Sequence, residues 1–185
     1  MEFTLFVILY LMLTIAWLFS VLFILFMTYG ILAVKVPYVP VSQKIVDATR
    51  TTIPLKSGDV LYDLGSGDGR VIAALAEDCP TARAIGVEKA PLPYFLSLFR
   101  FWKKPLSNTK VLFKDFSKVS LADATHVYMY LFPEVVESLL PKLNKDLRPG
   151  TIVVSCDFPF KSKEFERTVE IGKGYNKHTL YLYTF

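Results

Sequence analysis

The sequence predicts an α/β protein: a doubly wound, mostly parallel seven-stranded sheet with an antiparallel C-terminal hairpin, preceded by one transmembrane helix. Three observations carry this. Residues 3–34 contain no Asp, Glu, Lys, Arg or His. Beyond them, short apolar runs alternate with helical periodicities, the pattern of a parallel sheet between helical layers. The last two runs are separated only by Gly172-Lys173-Gly174-Tyr175-Asn176, which reads as a hairpin loop.

The apolar segment comes first. As a helix it would be roughly 48 Å long against a hydrocarbon core of about 30 Å, so it crosses once with length to spare. A cleaved signal peptide is disfavoured: Met1-Glu2 brings no basic residue, the apolar run is too long, and no small-residue cleavage site closes it. Residues 1–35 are therefore expected to be a single anchor and residues 36–185 one globular domain, since about 150 residues build one core and not two. Glu2 alone precedes the segment, whereas Lys35, Lys44, Arg50 and Lys56 follow it. That asymmetry puts the globular part on the cytoplasmic (or mitochondrial matrix) side of the membrane. From Lys35 onward the net charge is +5, which suits a domain held against anionic headgroups.

Composition excludes other classes. With 52% hydrophobic, 21% charged and 15% aromatic residues the chain is neither disordered nor collagen-like, and two cysteines make no disulfide framework. Nucleic acid is not indicated, because no basic block with interleaved aromatics and no recognition-helix signature is present. His126 and His178 have no third ligand near them in the sequence, so no metal site is expected.

The elements of the globular part follow in order. Val36-Pro37-Tyr38-Val39-Pro40 reads as a stiff extended linker. Ser42 is placed to cap a helix over 43–52. A strand over 60–64 runs into a glycine loop and a helix over 70–77. A second strand ends in Glu88, and Pro91 opens an aromatic-rich helix ending near Trp102. Strands over 110–113 and 126–130, a helix over 134–147, and a strand over 151–156 complete the alternation. Runs near 167–171 and 179–183 form the hairpin.

The chemistry is concentrated in Asp63-Leu64-Gly65-Ser66-Gly67-Asp68-Gly69-Arg70. A doubly wound sheet opens such a loop, and the end of the next strand, at the carboxyl edge where nucleotide-like ligands bind. Glu88 is then placed to accept hydrogen bonds from a ribose, and Asp115, past the third strand, from an adenine amino group. Both dinucleotides and S-adenosylmethionine share those features. Charge separates them: a carboxylate against a pyrophosphate at about 4 Å would cost on the order of 4 kcal/mol at an effective dielectric near 20. Asp63 and Asp68 therefore disfavour a dinucleotide and favour S-adenosylmethionine, which carries a sulfonium and an ammonium and no phosphate. The cofactor residues are then Asp63, Gly65, Ser66, Gly67, Asp68, Glu88 and Asp115. Tyr128 and Tyr130 share a face of the fourth strand, and Tyr130, Phe132, Phe158 and Phe160 are expected near the crevice, where aromatics can hold a cation and shed water from it. For each aromatic, plain core packing is the competing reading, as helix capping is for Asp68.

With these residues in hand, the sequence resembles the Rossmann-like class I S-adenosylmethionine-dependent methyltransferases. Asp63-Leu64-Gly65-Ser66-Gly67-Asp68-Gly69 matches their first motif and Gly86-Val87-Glu88 the acidic one. Within them it looks most like the small membrane-anchored protein-lysine methyltransferases related to those of the ATP synthase c-subunit and the adenine nucleotide translocase. Pro37-Tyr38-Val39-Pro40, the string through Arg70, and Cys156-Asp157-Phe158-Pro159-Phe160 carry that resemblance. Two places depart: Lys89-Ala90-Pro91 stands where such relatives have Leu-Asn-Pro, and Tyr130-Leu131-Phe132-Pro133 lacks the Asn or Asp of many amine methyltransferases. The resemblance implies a methyltransferase acting on lysine of a protein at or in the membrane. A lipid, quinone or other membrane-soluble acceptor is the alternative, and a non-catalytic adaptor of the same fold a second one.

Overall fold

The computed structural model describes residues 2–33 and 39–185, with side chains at residues 3–28 and 39–185. Most of the expected proline linker, with Lys35, lies outside the described residues. The N-terminal apolar segment is one helix, α1 (Glu2–Ala33), and its span Phe3–Thr28 is long and apolar enough to cross a membrane, with none of it buried.

The remainder alternates as the sequence predicts: α2 (Gln43–Thr52), β1 (Val60–Leu64), α3 (Arg70–Asp78), β2 (Arg83–Glu88), α4 (Pro91–Lys103), β3 (Thr109–Phe113), β4 (His126–Met129), α5 (Pro133–Asp146), β5 (Ile152–Cys156), β6 (Arg167–Ile171) and β7 (His178–Thr184). Two 3-10 turns, Phe116–Lys118 and Gly174–Asn176, join them. The seven strands form one sheet in the order β3-β2-β1-β4-β5-β7-β6. All pairs are parallel except β5·β7 and β6·β7, so the last strand of the chain lies inside its own hairpin partner. The order reverses between β1 and β4, and at such a switch point the loops diverge and leave a crevice above the carboxyl ends of the strands.

Side-chain alternation divides the core. Leu61, Ala84, Tyr128, Val154 and Leu180 face one way, beneath α2 and α3, with Ile45, Ile72 and Leu75. Val60, Tyr62, Leu64, Val127, Met129 and Val153 face the other way, beneath α5, with Val136, Leu139 and Leu143. The central strands are buried on both faces, which is why they read as continuous apolar runs. Two details differ from the sequence reading. Ser42 occupies the N-cap of α2 with an extended backbone, but its side chain makes no capping hydrogen bond. Gly69, not Asp68, is the N-cap of α3.

Candidate cofactor and acceptor site

The crevice above β1 and β4 holds a cavity of about 380 Å³. Its wall includes Asp63, Gly65, Ser66, Gly67, Asp68, Glu88 and Asp115 at one end and Tyr130, Phe132 and Phe158 at the other. Ten of the eleven residues singled out in the sequence thus share one space.

The glycine loop is built by backbone. Gly65 N and Ser66 N both donate to Val87 O, at 2.9 and 3.2 Å, pinning the loop to the end of β2. Gly65 and Gly67 adopt φ of 81° and 57°, a region that costs a side-chain-bearing residue about 1 kcal/mol or more. Glu88 completes the frame, its Oε2 accepting from Gly67 N at 2.9 Å and its Oε1 from Ala90 N at 2.7 Å. The carboxylate also lines the cavity, so the group that shapes the loop can still accept from a ligand. Burial pushes the Glu88 carboxyl above its usual range despite those backbone donors.

Asp63, next to last in β1, is almost fully buried, at 2% exposure, and no donor among the described residues hydrogen-bonds its carboxylate. Burial first, then Glu88, then Asp68 push its pKa well above the usual carboxylate value. Beside it, the Ser66 and Tyr128 hydroxyls are buried without a well-formed hydrogen bond. A buried carboxylate lacking a donor beside unsatisfied hydroxyls is a cradle short of a partner, and a cationic ligand with hydrogen-bonding groups completes it. S-adenosylmethionine fits that description.

Asp68 behaves differently from Asp63. Its carboxylate is gripped by Arg70, with Nη2 at 2.8 Å, and by Arg100 of α4, with Nη2 at 2.6 Å, while Arg100 Nε also donates to Asp68 O at 2.8 Å. Burial opposes ionisation, yet the two guanidinium groups hold its pKa below the ordinary value. Asp68 thus presents no bare charge to a ligand, and the electrostatic case against a pyrophosphate rests on Asp63 and Glu88. Its lowered pKa implies stability that is present above the unfolded value of 3.8 and lost as pH falls below it. Arg100→Met should therefore lower the melting temperature at neutral pH and flatten the loss of stability on acidification. Melting curves between neutral and acidic pH check this, and an unchanged profile would remove Arg100 as the partner.

Asp115 caps the 3-10 turn through Ser117 N and Oγ, and its Oδ2 accepts from Lys89 Nζ at 3.0 Å. Although burial raises its pKa, Lys89 and Ser117 hold it below the usual range. At the opposite end Phe158 stacks near Tyr130 and meets Phe132, each with ring centroids 6.3 Å apart.

Phe160 requires a correction. The sequence places it at the crevice, but it is buried in the core on the α5 side, against Tyr183 and Phe185. The cause is local: Asp157 takes φ of 64°, Phe158 N turns back to Cys156 O, and Phe160 N donates to the Tyr183 hydroxyl. Sequence reasoning also missed a pair at this edge. Asp157 Oδ2 lies 2.7 Å from His178 Nδ1, its Oδ1 accepts from Thr179 N, and it faces the Tyr130 hydroxyl, whose pKa is raised by burial and then by Asp157. The string Cys156-Asp157-Phe158-Pro159-Phe160 marks this place in the sequence, but the positive φ of Asp157 leaves no mark on composition, so its pairing with His178 was not announced.

Comparisons with known proteins show the family. Residues 63–167 match the family model described as ANTKMT methyltransferase domain. The protein-lysine N-methyltransferase of Saccharolobus islandicus (strain REY15A) is 36% identical over 149 residues, which cover 80% of this chain and 92% of that protein. The ATP synthase c-subunit lysine N-methyltransferase of Mus musculus is 34% identical over 137 residues, or 73% of this chain and 54% of the relative, so the chain spans about half of that protein. The crystal structure of an RNA methyltransferase from Salinibacter ruber in complex with S-adenosyl-L-homocysteine superposes with a TM-score of 0.72 at 33% identity, covering 79% of this chain and 93% of that one. The chain belongs to the S-adenosylmethionine-dependent protein-lysine methyltransferases of the ANTKMT family.

Proposed function

We propose that this protein is a single-pass membrane enzyme, with residues 1–35 as its anchor and residues 36–185 as its catalytic domain, and that it methylates a lysine of a membrane or membrane-associated protein. One observation carries the reading: the apolar span Phe3–Thr28 buries none of its length in the domain, yet its Phe23 meets Phe95 of α4, whose first residues wall the cavity. The catalytic domain faces the cytoplasm or mitochondrial matrix, on the side of Lys35, Lys44, Arg50 and Lys56. Anchoring raises the local concentration of acceptors that share the membrane.

In this reading Asp63, Gly65, Ser66, Gly67, Asp68, Glu88 and Asp115 hold the cofactor, and Asp63 supplies the counter-charge. S-adenosylmethionine brings a methyl group on a sulfonium, so the chain's own task is to align a neutral amine with it. A free lysine has a pKa near 10.4. Tyr130, Phe132 and Phe158 form an aromatic passage that accepts the ammonium by its π faces, excludes water and so favours loss of its proton to solvent. Asp157, steadied by His178, sets the direction of the Tyr130 hydroxyl.

Membranes carrying the full chain, incubated with S-adenosylmethionine tritiated on its methyl group, test the acceptor. Label is expected in a protein that resists solvent extraction, recovered as methyl-lysine on hydrolysis and absent with Asp63→Asn. Label in the solvent extract would instead make the acceptor a lipid or quinone, and label released by ribonuclease would make it RNA. Cofactor binding without any label would leave an adaptor.

A further inference from the structure

α4 turns an apolar face to solvent. It buries only Pro91, Pro93 and Ser97, whereas Leu92, Phe95, Leu96, Phe99 and Trp102 are between 41% and 75% exposed. Those five positions recur at helical spacing and form one stripe. Such a contiguous apolar surface marks a contact with something outside the chain.

The neighbours of the stripe identify what covers it. Phe95 meets Phe23 of α1 with ring centroids 6.2 Å apart, and Phe113 at the end of β3 meets Phe26 at 6.4 Å. The span Phe3–Thr28 has 26 residues and so measures roughly 39 Å, about 9 Å more than a hydrocarbon core. If that surplus sits at the end nearer the domain, it comprises the last turns of the span, where Phe23 and Phe26 lie. The stripe therefore begins at headgroup depth. Its flanks are net basic: Lys103 stands over the Phe99 ring at 4.7 Å, and Phe113 shares a shallow surface depression with Lys114, Lys118 and the Lys89–Asp115 ion pair. Aromatic and leucine side chains bordered by lysines are the composition of a helix that lies in an anionic membrane surface.

We propose that α4 is an interfacial helix, lying in the headgroup layer of the membrane that α1 crosses, with Leu92, Phe95, Phe99 and Trp102 at the acyl boundary and Lys103, Lys114 and Lys118 against anionic headgroups. The inference rests on the reading of α1 as a span. Because Ala90 and Pro93 at the start of α4 wall the cavity, this docking fixes the cofactor site at a set height above the bilayer rather than leaving it on a free tether.

The chain has two tryptophans, Trp17 within the span and Trp102 on α4, so each single-tryptophan variant reports one contact. The full chain, as Trp17→Phe or as Trp102→Phe, is reconstituted into vesicles of phosphatidylcholine and phosphatidylglycerol whose acyl chains are brominated either near the headgroup or near the terminal methyl. Trp102 is expected to be blue-shifted, quenched most by the shallow bromines and protected from iodide in the water, while Trp17 is quenched most by the deep ones. Trp102 emission that ignores both bromines and falls with iodide, with Trp17 still quenched, would overturn the docking and leave the span standing. If neither tryptophan responds to brominated lipid, the span reading fails and the inference with it.

Discussion

Asp63→Asn is expected to weaken S-adenosylmethionine binding by about 10- to 100-fold, the loss of a charge-assisted hydrogen bond worth about 1.5–3 kcal/mol, while making the cofactor-free protein more stable. The two effects share a cause. Asp63 is nearly sealed from solvent and its carboxylate is raised well above the usual value by burial, then by Glu88, then by Asp68. A carboxyl whose folded pKa lies above its unfolded one contributes stability below the unfolded value of 3.8 and loses it as pH rises through the raised one. At pH values above that, the empty protein carries an ionised carboxylate without a partner, and the amide removes the penalty. A gain of about 1 kcal/mol would raise the melting temperature by roughly 2–4 °C in a chain of this size. A cationic cofactor supplies the missing partner, so binding to the wild type expels a proton wherever Asp63 is still protonated, and affinity climbs with pH through its raised pKa. Calorimetric titrations in buffers of different ionisation enthalpy should show that release for the wild type and not for the variant. Undiminished affinity, or a lower melting temperature in the variant, would remove Asp63 from the role.

What the sequence made legible is what is local. β1 and the glycine loop are contiguous, so a run of five apolar or strand-ending residues, three glycines and their acids could be read as strand, turn and ligand edge without a fold. Glu88, 21 residues beyond Gly67, was legible because one crossover separates adjacent parallel strands, and its carboxylate does reach the Gly67 amide. The charge state of Asp68 was not legible. Arg70 stands two residues on, but whether it folds back onto the carboxylate is not written in the string, and the second guanidinium, Arg100, lies 32 residues away on α4, where only tertiary packing brings them to 2.6 Å. Phe160 failed for the same reason: its direction is set by the backbone of Asp157 and by Tyr183, 23 residues on. The place of β7 between β5 and β6 also escaped the sequence, because a hairpin's loop does not say which of its strands joins the sheet.

Gly86→Ala is expected to cost about 1–3 kcal/mol of stability, as overpacking does, and to weaken cofactor binding as well. Gly86, Asp63 and Tyr128 lie side by side across β2, β1 and β4, on the face that carries the glycine loop. A methyl group at Gly86 would stand 2.6 Å from Ser66 Oγ, 2.9 Å from Ser66 Cβ and 3.0 Å from Ile72 Cδ1. None of these is the end of a long, compliant chain, so the loop must lift, and with it the Gly67 amide held by Glu88. The glycine beneath the loop is therefore a condition for the loop's height above the sheet. Adding Ser66→Gly removes two of the three close contacts and should recover part of the stability, but not all of it, since Ile72 remains. Gly150→Ala supplies the contrast: its added methyl meets nothing within 4 Å, so it suffers only the strain of a backbone at φ 88° and should leave cofactor affinity alone. Melting curves and cofactor titrations of the three variants decide the matter. Stability and affinity unchanged in Gly86→Ala would mean that the loop is free to rise from the sheet, and that the register joining Val87, Glu88 and the glycines does not set the cofactor's position.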